Sequence, residues 1–400
     1  MKYRDPNDFS DSNFKTINIQ TNDRAPIIIG LIMVKNQEVK IVKTIKLIKN
    51  ICDKIIVVDT GSTDNTVKNI QNEFPDVIIR KIKWIENYSL MRNKCLSFIR
   101  KGDWVFCVDS DEYLDSNLSY EVLHQFVYNI DSKYPGYDIA CTVKQNLSSL
   151  GSFVRSKRIF KKTDTIYYFG YVHEELRSKN AKQNLKIDTD IVFNNTGTSV
   201  EDINKFSKAE RYSKLLLKNI ELEPNNPRWI SLVTPDYIEL GLISNSKYQE
   251  QLEKNIFKNI NNKVFLKENI RSGPYLKYLL EQFCLLMISK QNWKIVKECA
   301  DFADSIFPYD VNFVMYNLST FFSYVESTSQ LYLNEIISRY SNVNETEVDE
   351  ESQGSEEALS ALLVRLFILT HNYDKAREIY LNIKDPMIKD ALILDSKILE

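Results

Sequence analysis

The chain has 400 residues, 43% of them hydrophobic and 26% charged, with 52 Lys and Arg set against 54 Asp and Glu. A formal net charge of −2 supplies no field for nucleic acid or an anionic membrane surface, and a length of this order calls for two or three domains with real cores. Gly and Pro number only 10 each, too few breakers for an all-β fold, so long helices are expected.

Residues 1–25 are polar and aperiodic and read as an extended or partly ordered lead-in. Met1-Lys2-Tyr3-Arg4-Asp5-Pro6 offers no apolar signal core, and no stretch reaches membrane-spanning length. Residues 27–34 form the first apolar run, stopped by Lys35-Asn36, and 39–51 carry helical spacing at Val39, Val42, Ile45 and Ile48. Lys54-Ile55-Ile56-Val57-Val58 is a second strand, closing in Asp59-Thr60-Gly61-Ser62-Thr63-Asp64. A helix over 65–74, a β-prone run over 77–79 and a helix over 86–100 lead to Trp104-Val105-Phe106-Cys107-Val108. This alternation calls for a parallel sheet with crossover helices.

Five apolar residues from Trp104 suit a strand buried on both faces. The Asp109-Ser110-Asp111-Glu112 that follows sits at its C-terminal end, the edge where open α/β sheets bind ligands. Asp at i and i+2 can turn two carboxylates toward one hard cation. The plain alternative is an acidic turn in which Asp111 or Asp115 caps the next helix.

From about 138 to 200 short β-prone pieces (137–143, 165–170, 187–193) surround a basic run, Arg155-Ser156-Lys157-Arg158, and the stretch Gly170-Tyr171-Val172-His173-Glu174-Glu175. This region reads as the antiparallel completion of a first domain over 26–200, supplying the second wall of its cleft. Over 201–400 the β character fades. An amphipathic helix over 209–222 is broken by Pro224-Asn225-Asn226-Pro227. Helical segments then pair: 229–243 with 247–260, 275–290 with 292–306, 311–326 with 329–340, and 357–371 with 373–383. Gln291-Asn292-Trp293 and His371-Asn372-Tyr373 open two of the second helices alike, and Pro308 and Pro386 follow their ends. Such pairs resemble tetratricopeptide (TPR) repeats, the alternative being a plain helical domain. Residues 344–357 hold seven acidic side chains and no apolar period, the composition of a solvated inter-helix loop, the alternative being a dock for a basic peptide. Six cysteines, Cys52, Cys95, Cys107, Cys141, Cys284 and Cys299, show no metal spacing and mostly lie in apolar runs, which fits a reduced, cytoplasmic setting.

Asp59-x-Gly61-Ser62 closes the second strand at the same edge as Asp109, and a carboxylate beside a glycine suits a nucleoside's base or ribose. The first strand ends there in Val34, and Arg92-Asn93 lies on the helix between. In this order and spacing, residues 26–200 resemble inverting family-2 glycosyltransferases of the GT-A fold, a Rossmann-like α/β domain with a mostly parallel sheet. More narrowly, three motifs followed by helical repeats resemble the sublancin-type peptide S-glycosyltransferases of glycocin biosynthesis. These are Tyr88-Ser89-x-x-Arg92-Asn93-Lys94, Gly170-x-Val172-His173-Glu174-Glu175 and Leu222-Glu223-Pro224-x-Asn226-Pro227-x-Trp229. Those enzymes place a sugar on Cys, some on Ser, of a bacteriocin precursor peptide. Their motif usually has Ala before the Arg, where this chain has Met91.

The resemblance implies a UDP-sugar donor, Mn²⁺ or Mg²⁺, a Cys- or Ser-containing peptide acceptor, and a homodimer, with the helical domain binding peptide, partner subunit or both. It assigns Val34, Asp59, Ser62, Arg92, Asp109, Ser110 and Arg158 to the nucleotide sugar, and Asp109, Asp111 and His173 to the metal. Arg92 and Arg158 suit diphosphate because a guanidinium matches phosphate oxygens in bidentate fashion. Leaving-group charge needs a cation and arginines, and the acceptor needs a base on the opposite face of the sugar. Glu112, Glu174 and Glu175 are the candidates, with the adjacent pair preferred because neighbouring carboxylates raise each other's pKa. A second reading keeps the chemistry and makes the acceptor lipopolysaccharide or another surface glycan; a third is an inactive repeat scaffold.

Overall fold

The apolar runs at 27–34, 54–58 and 104–108 become adjacent central strands of one sheet in the computed structural model. It describes residues 2–4, 15–16, 27–115, 117–147, 153–195, 208–234, 236–340 and 355–399. The chain divides into two compact units, Met1–Ile243 and Ser244–Glu400. In the first, the strands are β1 (Lys2–Arg4), β2 (Lys15–Thr16), β3 (Ile28–Val34), β4 (Lys54–Asp59), β5 (Ile78–Lys81), β6 (Trp104–Asp109) and β7 (Glu112–Leu114). They continue as β8 (Asp138–Leu147), β9 (Phe153–Lys161), β10 (Ile166–Phe169), β11 (Glu175–Ser178) and β12 (Asn184–Asn195). The helices are α1 (Lys40–Ile48), α2 (Thr66–Glu73), α3 (Tyr88–Leu96), α4 (Tyr120–Lys133), α5 (Lys208–Leu222), α6 (Pro227–Ser231) and α7 (Asp236–Glu239).

The sheet runs β2-β1-β12-β8-β9-β6-β3-β4-β5, with β7 also on β12. Strands β6, β3, β4 and β5 are mutually parallel, and β9 runs antiparallel to both β6 and β8. Side chains alternate across the central strands because the strand period is two. Ile28, Ile32, Val57, Phe106 and Val108 join Ile41 and Ile45 of α1 and Phe126 of α4 in one core. Ile29, Leu31, Ile56, Val58 and Val105 join Cys95 and Leu96 of α3 and Tyr168 of β10 in the other. That double burial explains the unbroken apolar runs.

Topology locates the working edge. From β3 the chain steps outward to β4 and β5, then crosses back to place β6 on the other side of β3. Strand order therefore reverses at β3 and β6, and a crevice opens beyond their carboxyl ends. Register sets Met33 beside Asp109 and Val34 beside Asp59.

Several expectations are revised. The basic run Arg155–Arg158, expected between β-prone pieces, is itself the middle of β9. The helix expected after the acidic turn is α4, but Ser119 and not Asp111 or Asp115 caps it, its Oγ accepting from Val122 N at 3.3 Å, and the 109–112 turn leads into β7. The first unit runs on through α5–α7 to Ile243, past the change of pattern near residue 200. In the lead-in, 2–4 and 15–16 are strands, and its remaining residues lie outside those described.

The second unit comprises α8 (Asn245–Ile256), α9 (Leu276–Ser289), α10 (Trp293–Ile306), α11 (Val311–Tyr340), α12 (Ser355–Leu369), α13 (Tyr373–Asn382), α14 (Pro386–Ala391) and α15 (Ile393–Leu399). The two Asn-aromatic joints share a backbone turn. Gln291 and His371 have φ of 55° and 59°, and Asn292 N and Asn372 N donate to Met287 O and Phe367 O at 2.9 and 2.8 Å. The expected pair over 311–326 and 329–340 is one helix, since Ser327-Thr328-Ser329 contains no breaker and Ser327 Oγ bonds back to Tyr324 O at 3.0 Å. The expected helix over 229–243 is replaced by the short α6 and α7, with Pro235 between them in sequence. Most of the acidic stretch 344–357 lies outside the described residues.

Candidate functional site

The edge of β3 and β4 is laced by short polar contacts. Asp59 is 4% exposed, and its Oδ1 accepts from Ser62 N at 2.9 Å. Ser62 Oγ accepts from Asn36 N at 3.0 Å, and Thr60 N and Oγ1 donate to Val34 O at 2.9 and 3.1 Å. Gly61 makes the turn with φ of 108°, a conformation that disfavours any side chain. Val34, Asp59 and Ser62 thus form one rigid rim.

Across β3, Asp109 ends β6 between two guanidiniums. Arg92 of α3 donates Nη2 to Asp109 Oδ1 at 2.9 Å, and Arg158 of β9 donates Nη2 to Oδ2 at 2.5 Å. Arg92 Nε pairs with Glu174, and its Nη1 meets Cys107 Sγ at 3.0 Å. Arg158 Nη2 reaches Glu112 Oε1 at 2.9 Å. Glu112 also accepts from Gln145 Nε2 and, at 3.0 Å, from Asp109 N. Charges alternate along Glu174, Arg92, Asp109, Arg158 and Glu112.

Asp109 is the outward apex of this network, its side chain 32% exposed against 11% and 10% for the arginines. Burial alone would raise its carboxyl, but Arg158 and Arg92 outweigh that and hold it well below the usual carboxylate range. At the inner end, burial pushes Glu112 up to about 7, Arg158 opposing and Asp109 adding to the rise. A β-bulge delivers Arg158: Cys141 pairs with Ile159 and Thr142 with Lys157, leaving Arg158 as the extra residue.

The second wall is the loop of the β10–β11 hairpin, Gly170 to Glu174. Its backbone is held from outside: Tyr88 N donates to Tyr171 O at 2.9 Å and Ser89 N to Gly170 O at 3.3 Å. From α5 and the segment after it, Asn219 bonds Tyr171 N and Val172 O at 2.6 and 2.9 Å, and Arg228 Nη2 donates to His173 O at 2.9 Å. Glu223 takes Arg177 in a two-point pair at 2.6 and 2.8 Å and accepts from Trp229 Nε1 at 2.8 Å. His173 is exposed, has φ of 51° and stands edge-on to Tyr212 at 6.0 Å. The surrounding protein disfavours its charged form and lowers its pKa, Glu174 partly opposing.

Arg92, Asp109, Arg158, Glu112 and Glu174 therefore converge, and the rim residues share their edge. Other expectations change. Arg92 and Arg158 are engaged by protein carboxylates, so their first role here is to keep Asp109 ionised. Glu112 is 1% exposed and is engaged by Arg158 and Gln145. Glu174 and Glu175 turn to different arginines, Glu175 meeting Arg177 Nε at 2.5 Å, so they do not act on one another as a shared pair. Ser110 contributes its carbonyl to Thr44 Oγ1 at 3.1 Å. Gln145, Asn219 and Arg228 were not singled out by sequence; only the Glu223-to-Trp229 motif pointed toward that clamp.

Among the described residues no group of three or more His, Cys, Asp or Glu is arranged to hold a metal ion. Asp109, Asp111 and His173 do not form a closed cage. Mg²⁺ typically takes one or two carboxylates and completes its shell with water and substrate phosphates. The half-buried Asp111, two residues from the half-buried Asp109, fits an ion of that kind, arriving with a diphosphate.

Residues 31–171 match the family model for glycosyl transferase family 2. Over 381 residues the chain is 25% identical to the SPbeta prophage-derived glycosyltransferase SunS of Bacillus subtilis, covering 93% of this chain and 84% of that protein. It is 33% identical over 109 residues to an uncharacterized glycosyltransferase of Rickettsia typhi, covering 27% of this chain and 36% of the relative. Among solved structures, S. aureus TarS 1-349 in complex with UDP-GlcNAc aligns with 15% identity and a TM-score of 0.35, covering 73% of this chain and 91% of that one.

Proposed function

The chain carries a family 2 glycosyltransferase domain over residues 31–171, and on that premise we propose an inverting enzyme that moves a sugar from a UDP-sugar to a Cys or Ser side chain of a bacteriocin precursor peptide. The observation that carries the reading is the likeness to SunS over 93% of the chain, through the helical unit as well as the sheet. A surface-glycan acceptor would leave that second stretch of likeness without a reason.

In this reading Asp59 and Ser62 hold the uracil and ribose end, and Asp109 meets the ribose or the cation. Asp109 is suited to either because two arginines keep it ionised and each carboxylate oxygen retains a second lone pair. Asp111 and His173 are the side chains assigned to Mn²⁺ or Mg²⁺; the ion supplies charge neutralisation at the departing diphosphate. Glu174, on the second wall, is our choice over Glu175 for the base, because Arg92 ties it to Asp109 whereas Arg177 draws Glu175 toward Glu223. A cysteine acceptor, with a reference pKa of about 8.5, asks little of such a base.

We assign transfer to the domain over 26–200, which α5–α7 join in one compact unit, and TPR-like peptide binding to the helices that follow within 201–400. The apolar stripe of Val314, Leu318, Phe321 and Phe322 on α11, each more than half exposed, supports a homodimer through the helical unit. Six buried free cysteines support a reducing, cytoplasmic setting, and among the described residues no helix is long and apolar enough to cross a membrane. Mass spectrometry of a Cys-containing precursor peptide, incubated with the protein, Mn²⁺ and a panel of UDP-sugars, tests the proposal. One hexose-sized increment on Cys, lost with Asp111→Ala, is the expected result; UDP release without peptide modification in any pairing counts against the acceptor.

A further inference from the structure

We propose that Asn219 is a positioning residue: its amide clamps the Gly170–Glu174 loop in the one shape that brings Glu174 onto Arg92 beside Asp109. The inference rests on the glycosyltransferase reading, and it concerns a residue outside the matched span of 31–171.

Asparagine is a poor choice for a helix interior, since its side chain competes for backbone hydrogen bonds. On α5 it is nevertheless 0% exposed. A buried amide left without partners costs about 1–3 kcal/mol, so its presence calls for specific bonds. Both ends of the amide are used on the loop, Oδ1 accepting from Tyr171 N at 2.6 Å and Nδ2 donating to Val172 O at 2.9 Å. No other side chain bonded to this loop's backbone holds two of its residues among the described contacts.

The loop needs such a clamp. His173 sits at φ 51°, a left-handed conformation that costs a residue with a Cβ about 1–2 kcal/mol. Strained backbone of this kind persists only where its surroundings over-determine it. Gly170, at φ 107°, lies so close to Trp229 that an added Cβ would stand 3.1 Å from the indole. Remove Asn219's two bonds and the segment between these two points keeps only Tyr88 N on Tyr171 O, with Val172 held by no side chain among the described contacts. Glu174, the next residue, is the one paired with Arg92, whose other arm holds Asp109 at 2.9 Å. Asn219 touches no reacting atom; it acts through the loop.

The test uses the full chain with Asn219→Leu, which keeps the volume and removes both bonds, and Asn219→Asp, which keeps the acceptor for Tyr171 N. Two readouts are taken: turnover of UDP-glucose and UDP-N-acetylglucosamine with Mn²⁺, and amide hydrogen exchange over 168–176. For Asn219→Leu, exchange at Tyr171 should rise about tenfold or more. Its kcat should fall about 10- to 100-fold, with donor KM within about threefold of wild type, because misplacement of a catalytic group by about an ångström has effects of that size. Asn219→Asp should recover part of the kcat, and Asn219→Ala, which also removes both bonds, takes the Leu variant's place in both readouts if that one does not fold. Unchanged loop exchange, or a kcat within about twofold of wild type, overturns the assignment. If the wild type turns over no UDP-sugar, the glycosyltransferase reading fails, and the exchange data then decide the clamp alone.

Discussion

Replacing Glu112 with Gln tests whether the inner end of the charge network titrates near neutrality. Burial moves this carboxyl from its ordinary 4.5 up to about 7. Between those values the folded protein keeps a proton that the unfolded chain has released, so the stability contributed by Glu112 falls as pH rises through the window and levels off above it. The size is about 3 kcal/mol, at roughly 1.4 kcal/mol for each pH unit between the two values. Asp109 does not titrate there: its carboxyl is held low, and its contribution is lost only as pH falls below the ordinary carboxylate range. His124 and His173 are shifted down because the protein around them disfavours the charged form, and their contributions fall as pH drops below 6.5, the opposite slope. Subtracting the E112Q curve from the wild type cancels those terms and leaves the Glu112 contribution. Urea unfolding followed by tryptophan emission, from about pH 5 to about pH 8, measures it. The variant should gain on the wild type with rising pH by most of the expected ~3 kcal/mol. A difference that stays flat within about 0.5 kcal/mol across that range would refute the argument.

Arg92→Lys keeps the charge but not the fork that spans Glu174 and Asp109, so UDP-sugar turnover should fall about 100-fold, measured by steady-state kinetics on protein shown to be folded. Gly170→Ala forces a Cβ against Trp229 in a left-handed conformation; a loss of about 1–3 kcal/mol in the unfolding free energy is expected. Phe321→Glu together with Phe322→Glu places charge on the apolar stripe of α11, and sedimentation should show the assembly shifted from dimer to monomer without loss of helix signal.

The parts of the fold legible in sequence were those whose cause is local. Strands β3, β4 and β6 announce themselves because burial on both faces demands unbroken apolar residues, and Asp59 and Asp109 mark the edge by ending two of those runs. Strand β9 was hidden because its inward positions carry Arg158 and Ser156, which serve Asp109, Glu112 and Gln145 instead of an oily core. Helix α4 carries a local signature too: Leu123, Phe126, Val127 and Ile130 follow a serine cap at helical spacing. The clamp was beyond reach, since Asn219 and Arg228 bond residues 47 to 55 positions earlier, and no pattern within one helix encodes such a partner. Glu112 shows the same limit: a carboxylate in an acidic turn gives no sign of which member will be turned inward.

The bulge in β9 bears on how this chain tolerates insertions and deletions. Dropping a single residue at Lys157 or Arg158 would let β8 and β9 zip without a fault and restore a regular ladder. The shortened hairpin would be the more uniform sheet, yet its guanidinium would be gone or carried out of reach, leaving a lone buried acid where a pair had been. Here a frame-preserving deletion that looks harmless to the fold would silence the site.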